Sequence, residues 1–361
     1  MILAYVSGHG FGHAARVCEV VRALRTRRPE IECAIRSPLA RWFFDFNLGA
    51  QVAHADVRLD VGVVQADSLS PDLQTTQRAY AALDADAERL IEAEVAALAA
   101  DRPRLVLADI PALAFDIADR LGVPGVAMTN FSWDWIYADY AEVLPAFAPL
   151  VDRLRTSYGR ATLMLRLPLH GDLSAFPHIR DVPLVARRAA VGPRAVRDRL
   201  DLPRDQRLVL LSFGGLGLAL RNVPRLPGVR FLMTGGAAMG ERLPGNCRVI
   251  THPEMTAAAI RYEDLVGAVD AVMTKPGYGI VAECIANGTP MVYTARGRFA
   301  EYDCLLAGIE AHLANAFISQ EDLNAGRWSD ALDAVFARGR RDVTVRIDGA
   351  DVVADVLTSF L

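Results

Sequence analysis

Lysine is almost absent from this chain: Lys275 stands alone, and arginine supplies the rest of the 39 basic residues, set against 43 acidic ones. The net charge of -4 gives no electrostatic reason to expect nucleic acid as a partner. Long apolar runs are missing too. No segment approaches the roughly twenty uninterrupted apolar residues of a membrane span, and the opening run is too short for the core of a secretory signal. The expected location is therefore the cytoplasm, with no integral membrane segment and only peripheral membrane contact left open. The 5 cysteines, Cys18, Cys33, Cys247, Cys284 and Cys304, are scattered and form no CxxC pair, which argues for reduced thiols rather than a disulfide frame or a zinc site. Short repeats and low-complexity tracts are also lacking. What is present is a chain of 361 residues with 52% hydrophobic content, enough for two globular domains.

Short apolar runs alternate with amphipathic stretches through the first half. Ile2 to Val6, Ile31 to Arg36, Leu105 to Ala108, Gly125 to Met128 and Leu163 to Leu165 read as strands. Helices are expected between them, including Ala14 to Thr26 and a long alanine-rich one from Asp72 to Ala100. Such alternation predicts a mostly parallel sheet covered on both faces. The arginine-rich stretch from Arg187 to Gln206, with Gly192, Pro193 and Pro203, reads as a linker. After it the pattern restarts, with strands at Leu208 to Leu211, Arg230 to Met233, Arg248 to Ile250, Ala271 to Met273 and Met291 to Tyr293. The expected fold class is α/β, with two Rossmann-like, doubly wound domains over residues 1–190 and 200–345. A closing helix lies in 346–361, and the sequence does not say which domain it packs on. Two such domains bind ligands at the carboxyl ends of their strands, in the cleft between them.

The stretch Ser7 to Arg16, SGHGFGHAAR, follows the first strand and opens a helix. Gly8, Gly10 and Gly12 let the backbone turn sharply and approach a ligand, and the N-terminus of the helix favours an anion. His13 falls on the first helical turn, where the positive end of the macrodipole disfavours an imidazolium. A neutral ring there can accept a proton. Asp109 ends the strand LVLAD, and in a parallel sheet it reaches the same rim, where it can fix the tautomer of His13 as the acid of a triad does. A helix cap for Asp109 and simple packing for His13 are the plainer readings. His9 and His13 have the spacing of helical metal ligands, but His9 precedes the helix and no third ligand stands near, so no metal is expected. Gly10, Gly12 and Ala15 also fit the dinucleotide fingerprint GxGxxA; with Arg36 rather than an acid ending the second strand, that leaves an NADP-dependent oxidoreductase as a remote alternative.

Thr274 to Glu283, TKPGYGIVAE, is the strongest local constellation. It places Gly277, Tyr278 and Gly279 at a helix start with the shape of an anion nest for a diphosphate. Glu283, on the second turn, can accept hydrogen bonds from vicinal ribose hydroxyls, and Lys275 can neutralise phosphate charge. Phe213, Gly214 and Gly215, with Gly236 after the following strand, are expected to add N–H donors to the same pocket. Beyond the next strand Arg296, Arg298, Glu301 and Asp303 crowd one loop, where carboxylates can bind sugar hydroxyls or form a plain charged surface. In TNFSWDWIY, Phe131, Trp133 and Asp134 are candidates for acceptor contact together with His9, whereas Trp135 and Tyr137 fit better as packing under the next helix.

Several of these stretches carry a resemblance. GHGFGHAARVCEVV, GVVQADSL at Gly62 to Leu69, TNFSWDWIYADY, LRLP at Leu165 to Pro168, DVPLVARR at Asp181 to Arg188, SFGG and PGYGIVAE resemble the non-kinase, glycosyltransferase-like N-terminal region of plant L-arabinokinases. The galactokinase-type phosphotransfer domain of those fusions has no counterpart in these residues, nor does a GxxxxGK[ST] loop, so sugar kinase activity is not implied. More distantly the pattern is similar to inverting glycosyltransferases of the GT-B fold, including the peptidoglycan N-acetylglucosaminyltransferase and plant natural-product glucosyltransferases. That resemblance implies His13 as the base, Asp109 as its orienting acid, and Gly277 to Gly279 with Glu283 as holders of the diphosphate and ribose. Arg16 replaces the proline common three residues after the histidine, giving GHxxR as in the nucleotide-sugar hydrolase of pseudaminic acid synthesis. The expectation is an inverting, metal-independent glycosyltransferase with a UDP-linked nucleotide sugar as substrate and no separate cofactor. Hydrolysis of the nucleotide sugar and a non-catalytic nucleotide-sugar-binding module are the alternatives. Sugar, acceptor and oligomeric state are not readable.

Overall fold

The computed structural model describes residues 1–65, 71–213, 222–235 and 244–361. Its first half contains β1 (Ile2–Val6), α1 (Phe11–Arg27), β2 (Cys33–Arg36), α2 (Arg41–Leu48), β3 (Ala53–Ala55), α3 (Leu73–Ala85), α4 (Ala87–Ala97) and β4 (Leu105–Asp109). After these come α5 (Leu113–Leu121), β5 (Gly125–Thr129), α6 (Trp133–Ala141), α7 (Ala148–Tyr158), β6 (Leu163–Arg166) and β7 (Ile179–Asp181). The seven strands form one parallel sheet in the order β3-β2-β1-β4-β5-β6-β7. The second half runs α8 (Pro193–Arg199), β8 (Arg207–Ser212), β9 (Val229–Thr234), β10 (Cys247–Ile250), α9 (His252–Ala257), α10 (Tyr262–Ala268), β11 (Ala271–Thr274) and α11 (Tyr278–Asn287). It closes with β12 (Met291–Tyr293), α12 (Glu301–His312), β13 (Asn315–Phe317), α13 (Gln320–Ala325), α14 (Ser329–Arg338) and α15 (Gly349–Thr358). Its sheet is also parallel, in the order β10-β9-β8-β11-β12-β13.

The strands expected from apolar runs form where the runs lie, because central parallel strands are buried on both faces and need unbroken apolar sequence. Ile2–Val6, Leu105–Asp109 and Gly125–Thr129 are buried at every position. β3, β7 and β13 have only three residues each and sit at sheet edges, where one neighbour and partial burial suffice. The alanine-rich stretch after Asp72 is two helices rather than one, the break falling at Asp86. Asp72 caps the first of them by accepting the N–H of Thr75.

The two halves share buried apolar surface. One cluster joins Ile2, Val6 and Leu107 of the first sheet with Val17 and Val21 of α1 and with Tyr278, Val281 and Val353 of the second half. The closing helix α15 packs against α1, and Arg27 reaches Asp351 and Asp355 on it. Between the domains the stretch expected to be a linker contains α8, which packs on α10. Asp264 in α10 pins that stretch: its Oδ1 accepts the N–H of Ala190 at 2.7 Å and of Val191 at 2.9 Å, while Oδ2 accepts that of Arg261 at 2.9 Å. Among the described residues no helix is long and apolar enough to cross a membrane.

Replacing the buried Asp264 by alanine leaves three partly buried backbone donors without their acceptor. A loss of about 1–3 kcal/mol of unfolding free energy is expected from urea titration, in line with the loss of hydrogen bonds to a charged acceptor; an unchanged midpoint would contradict this tethering.

Candidate functional site

The β1–α1 loop leaves the carboxyl end of β1 at the rim that faces the second domain. Gly8 lies where a Cβ would come within 2.5 Å of the Pro38 ring, so the loop can lie this close only without a side chain. Gly12, in the first turn of α1, rests on Gly279, in the first turn of α11; a Cβ on Gly279 would stand 3.0 Å from the Gly12 Cα. Two helix N-termini thus meet across the domain boundary. Each brings first-turn N–H groups that its own helix cannot pair and the positive end of a macrodipole, an arrangement suited to an anion.

His13 and Asp109 are brought together. β1 and β4 pair with Val6 opposite Asp109, and His13 Nδ1 stands 2.9 Å from Asp109 Oδ1. Burial alone would raise the Asp109 pKa, but the adjacent Arg16 guanidinium and His13 hold it below the usual carboxylate range. An ionised carboxylate only accepts, so Nδ1 is the donor in this contact, and Arg16 Nη2 stands 3.1 Å from the same nitrogen. Arg16 lies one helical turn beyond His13 and donates through Nη2 to Asp109 Oδ1 at 2.6 Å and Thr129 Oγ1 at 3.0 Å, and through Nη1 to Asn130 Oδ1 at 2.8 Å. Its Nε reaches the other Asp109 oxygen. The guanidinium lies over the Tyr278 ring, 4.8 Å from its centroid. Asn130 donates in turn to Glu301 Oε1 at 2.8 Å, and Glu301 Oε2 faces Arg296 at 3.6 Å. A single polar network therefore runs from α1 through the ends of β4 and β5 to α12 of the other domain. The Tyr278 hydroxyl is buried at this junction and has no hydrogen-bond partner among the described residues.

His9 is fixed differently. Its Nδ1 accepts the N–H of Val63 at 3.1 Å, which leaves the proton on Nε2. The ring is edge-on to Trp133 at 5.1 Å and parallel to Phe299 of the second domain at 6.1 Å. Burial, reinforced by His13, Arg296 and Lys275, lowers its pKa to about 3. Phe131 sits 5.5 Å from the His13 ring. Trp133 is wholly buried and spends its indole N–H on Asp60 at 2.9 Å, so it forms a wall and offers no face for stacking. Asp134 is not brought to the cleft; it turns toward Arg155 of α7, 3.2 Å away.

On the second domain Gly277 caps α11 and Lys275 Nζ donates to Gln65 Oε1 at 3.2 Å. Arg296 donates to the Pro276 carbonyl at 3.1 Å. Glu283 is buried, and Oε1 accepts Arg187 Nε at 2.7 Å as well as Arg187 Nη2. Burial raises its pKa while Arg187 pulls against that. Arg298 lies at the edge of the cleft and joins the domains by donating to Asp139 at 2.6 and 2.7 Å and to Glu142 at 2.5 Å. Phe213, just past β8, is buried, while Gly214, Gly215 and Gly236 lie outside the described residues. Arg36, which ends the second strand where the dinucleotide fingerprint would call for an acid, faces Glu94 at 3.4 Å. Asn130 and Asp60 are not singled out by the sequence, Arg187 falls in its linker stretch, and Arg16 is marked there only as the GHxxR departure shared with a nucleotide-sugar hydrolase. The i, i+3 spacing of His13 and Arg16 was the available sign that both face one rim.

The fold is that of the GT-B glycosyltransferases. Solved structures of this class match the whole chain at low identity: the glycosyltransferase SnogD from Streptomyces nogalater, with a TM-score of 0.59 and 19% identity over 99% of each chain, and the calicheamicin glycosyltransferase CalG4, with 0.58 and 16% over 100% of this chain and 98% of that one. The spinosyn rhamnosyltransferase SpnG, solved with spinosyn aglycone, gives 0.61 and 15% over 100% and 96%. In sequence the chain is similar to the L-arabinokinase of Arabidopsis thaliana, 31% identical over 369 residues that cover 98% of this chain. The chain spans about a third of that relative, 34% of its length. No family model matches the chain.

The His9 environment makes an acid-sensitivity prediction. Its folded pKa of about 3 lies below the unfolded value, so between the two the unfolded chain takes up a proton that the fold excludes. The stability it contributes is complete above the unfolded value, roughly pH 6.5, and is lost as pH falls, by about 1.4 kcal/mol per unit. Urea titrations of the wild type and His9→Gln at pH 7.5 and 5 should show a drop smaller by about 2 kcal/mol in the variant. Equal drops would place His9 outside this environment.

Proposed function

We propose that the chain transfers a sugar from a nucleoside diphosphate sugar to an acceptor nucleophile, with inversion at the anomeric carbon and without a metal. The observation that carries this reading is the His13–Asp109 pair, held one residue from the point where Gly12 touches Gly279. The acceptor O–H gives its proton to His13 Nε2 as its oxygen bonds to the anomeric carbon, and the bond from that carbon to the diphosphate oxygen breaks. Asp109 stabilises the resulting imidazolium. The diphosphate charge is met by the N–H groups at Gly277, Tyr278 and Gly279, with Lys275 beside them and Gly12 opposite. In this reading Phe213 borders the donor pocket, Glu283 takes the ribose, and Glu301 takes sugar hydroxyls with Arg298 at the margin. His9 and Phe131 face the acceptor. Inversion follows from attack from the first domain on a sugar whose leaving group is held by the second. The nucleotide is UDP, in keeping with the resemblance to plant glucosyltransferases.

Water as the nucleophile is the second reading, and Arg16 favours it. Where related transferases carry proline, this guanidinium neutralises Asp109 and fills the rim beside His13.

The test is a His13→Ala variant. Calorimetry should show nucleotide sugar bound as by the wild type, while turnover falls by about 10²-fold or more, the usual contribution of a general base. Undiminished turnover would remove His13 from this role. Donor incubated without acceptor should release free sugar slowly if transfer is the reaction and at the full rate if hydrolysis is; binding with no conversion across a donor and acceptor panel would mark a binding module.

A further inference from the structure

Glu263 stands out in the described structure as a buried carboxylate with ion pairs but without a hydrogen bond. It is fully buried in α10, and neither carboxylate oxygen accepts a hydrogen bond. Yet three guanidinium groups surround it: Arg261 Nε at 3.0 Å, Arg187 Nη1 at 3.4 Å and Arg22 Nη1 at 3.6 Å. An unbonded buried carboxylate is costly, and cations this close would ordinarily be drawn into hydrogen bonds with it.

One of these cations, Arg187, is already engaged with other acceptors. Arg187 gives Nε and Nη2 to Glu283 Oε1 and turns Nη1 to Asn47 Oδ1 of α2, 3.0 Å away in the first domain. Glu283 and Arg187 line the same crevice as Gly12, Arg16, Tyr278 and Gly279, directly behind the start of α11. The carboxylate assigned above to the ribose is thus covered by an arginine from the interdomain stretch, and a second acceptor for that arginine waits unbonded on the next helix.

We propose that Arg187 is a two-position latch on the donor site: it covers Glu283 in the ligand-free chain and moves onto Glu263 when the ribose of a ribonucleoside diphosphate takes Glu283. The movement is short, since Arg187 Nη1 is already within ion-pair distance of Glu263. It exchanges one bonded carboxylate for another, so no buried charge is left alone. The Asn47 contact is the tie that must break, and it is the one bond of Arg187 to the first domain among the described residues. Arg187 therefore acts as a positioning residue, making the site respond to the ribose and not to phosphate alone. The inference rests on the donor-site reading under Proposed function.

The experiment is calorimetric titration of UDP, ADP, GDP and CDP, and of inorganic pyrophosphate, into the full chain and two variants. Pyrophosphate engages the start of α11 without asking for Glu283. Glu263→Gln removes the charge that receives Arg187, so binding of the preferred nucleotide should weaken about tenfold while pyrophosphate affinity stays as in the wild type. Asn47→Ala releases Arg187 from its ligand-free position and should tighten the nucleotide severalfold, again with pyrophosphate unchanged; this variant decides the matter if Glu263→Gln does not fold. A nucleotide-to-pyrophosphate affinity ratio equal to that of the wild type in every folded variant would overturn the latch while leaving the donor site standing. Failure of every chain to bind any of the nucleotides would overturn both.

Discussion

The buried pair between Arg16 and Asp109 is the contact on which the site depends. Arg16 is 4% exposed and Asp109 fully buried, so neither charge can be stabilised by water. Each holds the other in place, and breaking such a pair costs about 3–5 kcal/mol because a lone buried charge remains. Arg16 has further donors to spend, and it spends them on Thr129 and Asn130 at the end of β5. The pair thereby locks the start of α1 to two neighbouring strands, and His13 is carried on the locked turn. Through Asn130 and Glu301 the same network reaches the second domain.

That rigidity explains how two separate sheets can present one site. Their carboxyl ends meet at a junction where Gly279 lies so close that a Cβ on it would stand 3.0 Å from the Gly12 Cα, and on either side the domains are tied by different chemistry. At one side Trp42 of α2 stacks on His252 of α9 with ring centroids 4.2 Å apart. At the other, Arg298 spans to Asp139 and Glu142. The α15 helix closes the circuit by returning to α1. Polar groups inside a junction so closed act in a medium of low dielectric, where the orientation of the His13 ring and of the N–H groups of α11 counts for more than it would in water.

Much of this was legible in the sequence, for definite physical reasons. Strands buried on both faces need unbroken apolar residues, so β1, β4, β5, β8, β11 and β12 could be read directly, and adjacency of β1 and β4 ends follows from a parallel sheet. His13 and Asp109 could be paired on that basis. The three-residue edge strands AHA, IRD and NAF carry no such pattern and were not anticipated. The fate of Trp133 was equally hidden: an aromatic in a post-strand loop reads the same whether it faces a ligand or, as here, is buried with its N–H on Asp60. Arg187 lay in a stretch whose composition spoke only of a linker. Its partners Glu283, Glu263 and Asn47 lie 96, 76 and 140 residues away and come together only through the packing of α2, α10 and α11.

The central claim is that the start of α11, facing Gly12 and His13, is where a nucleoside diphosphate rests. A crystal structure of the chain with such a nucleotide bound tests this most directly. The account predicts phosphate oxygens within hydrogen-bonding distance of the N–H groups from Gly277 to Gly279, with His13 Nε2 facing the terminal phosphate side. A diphosphate seated elsewhere, with Gly12 still closed on Gly279, would contradict it.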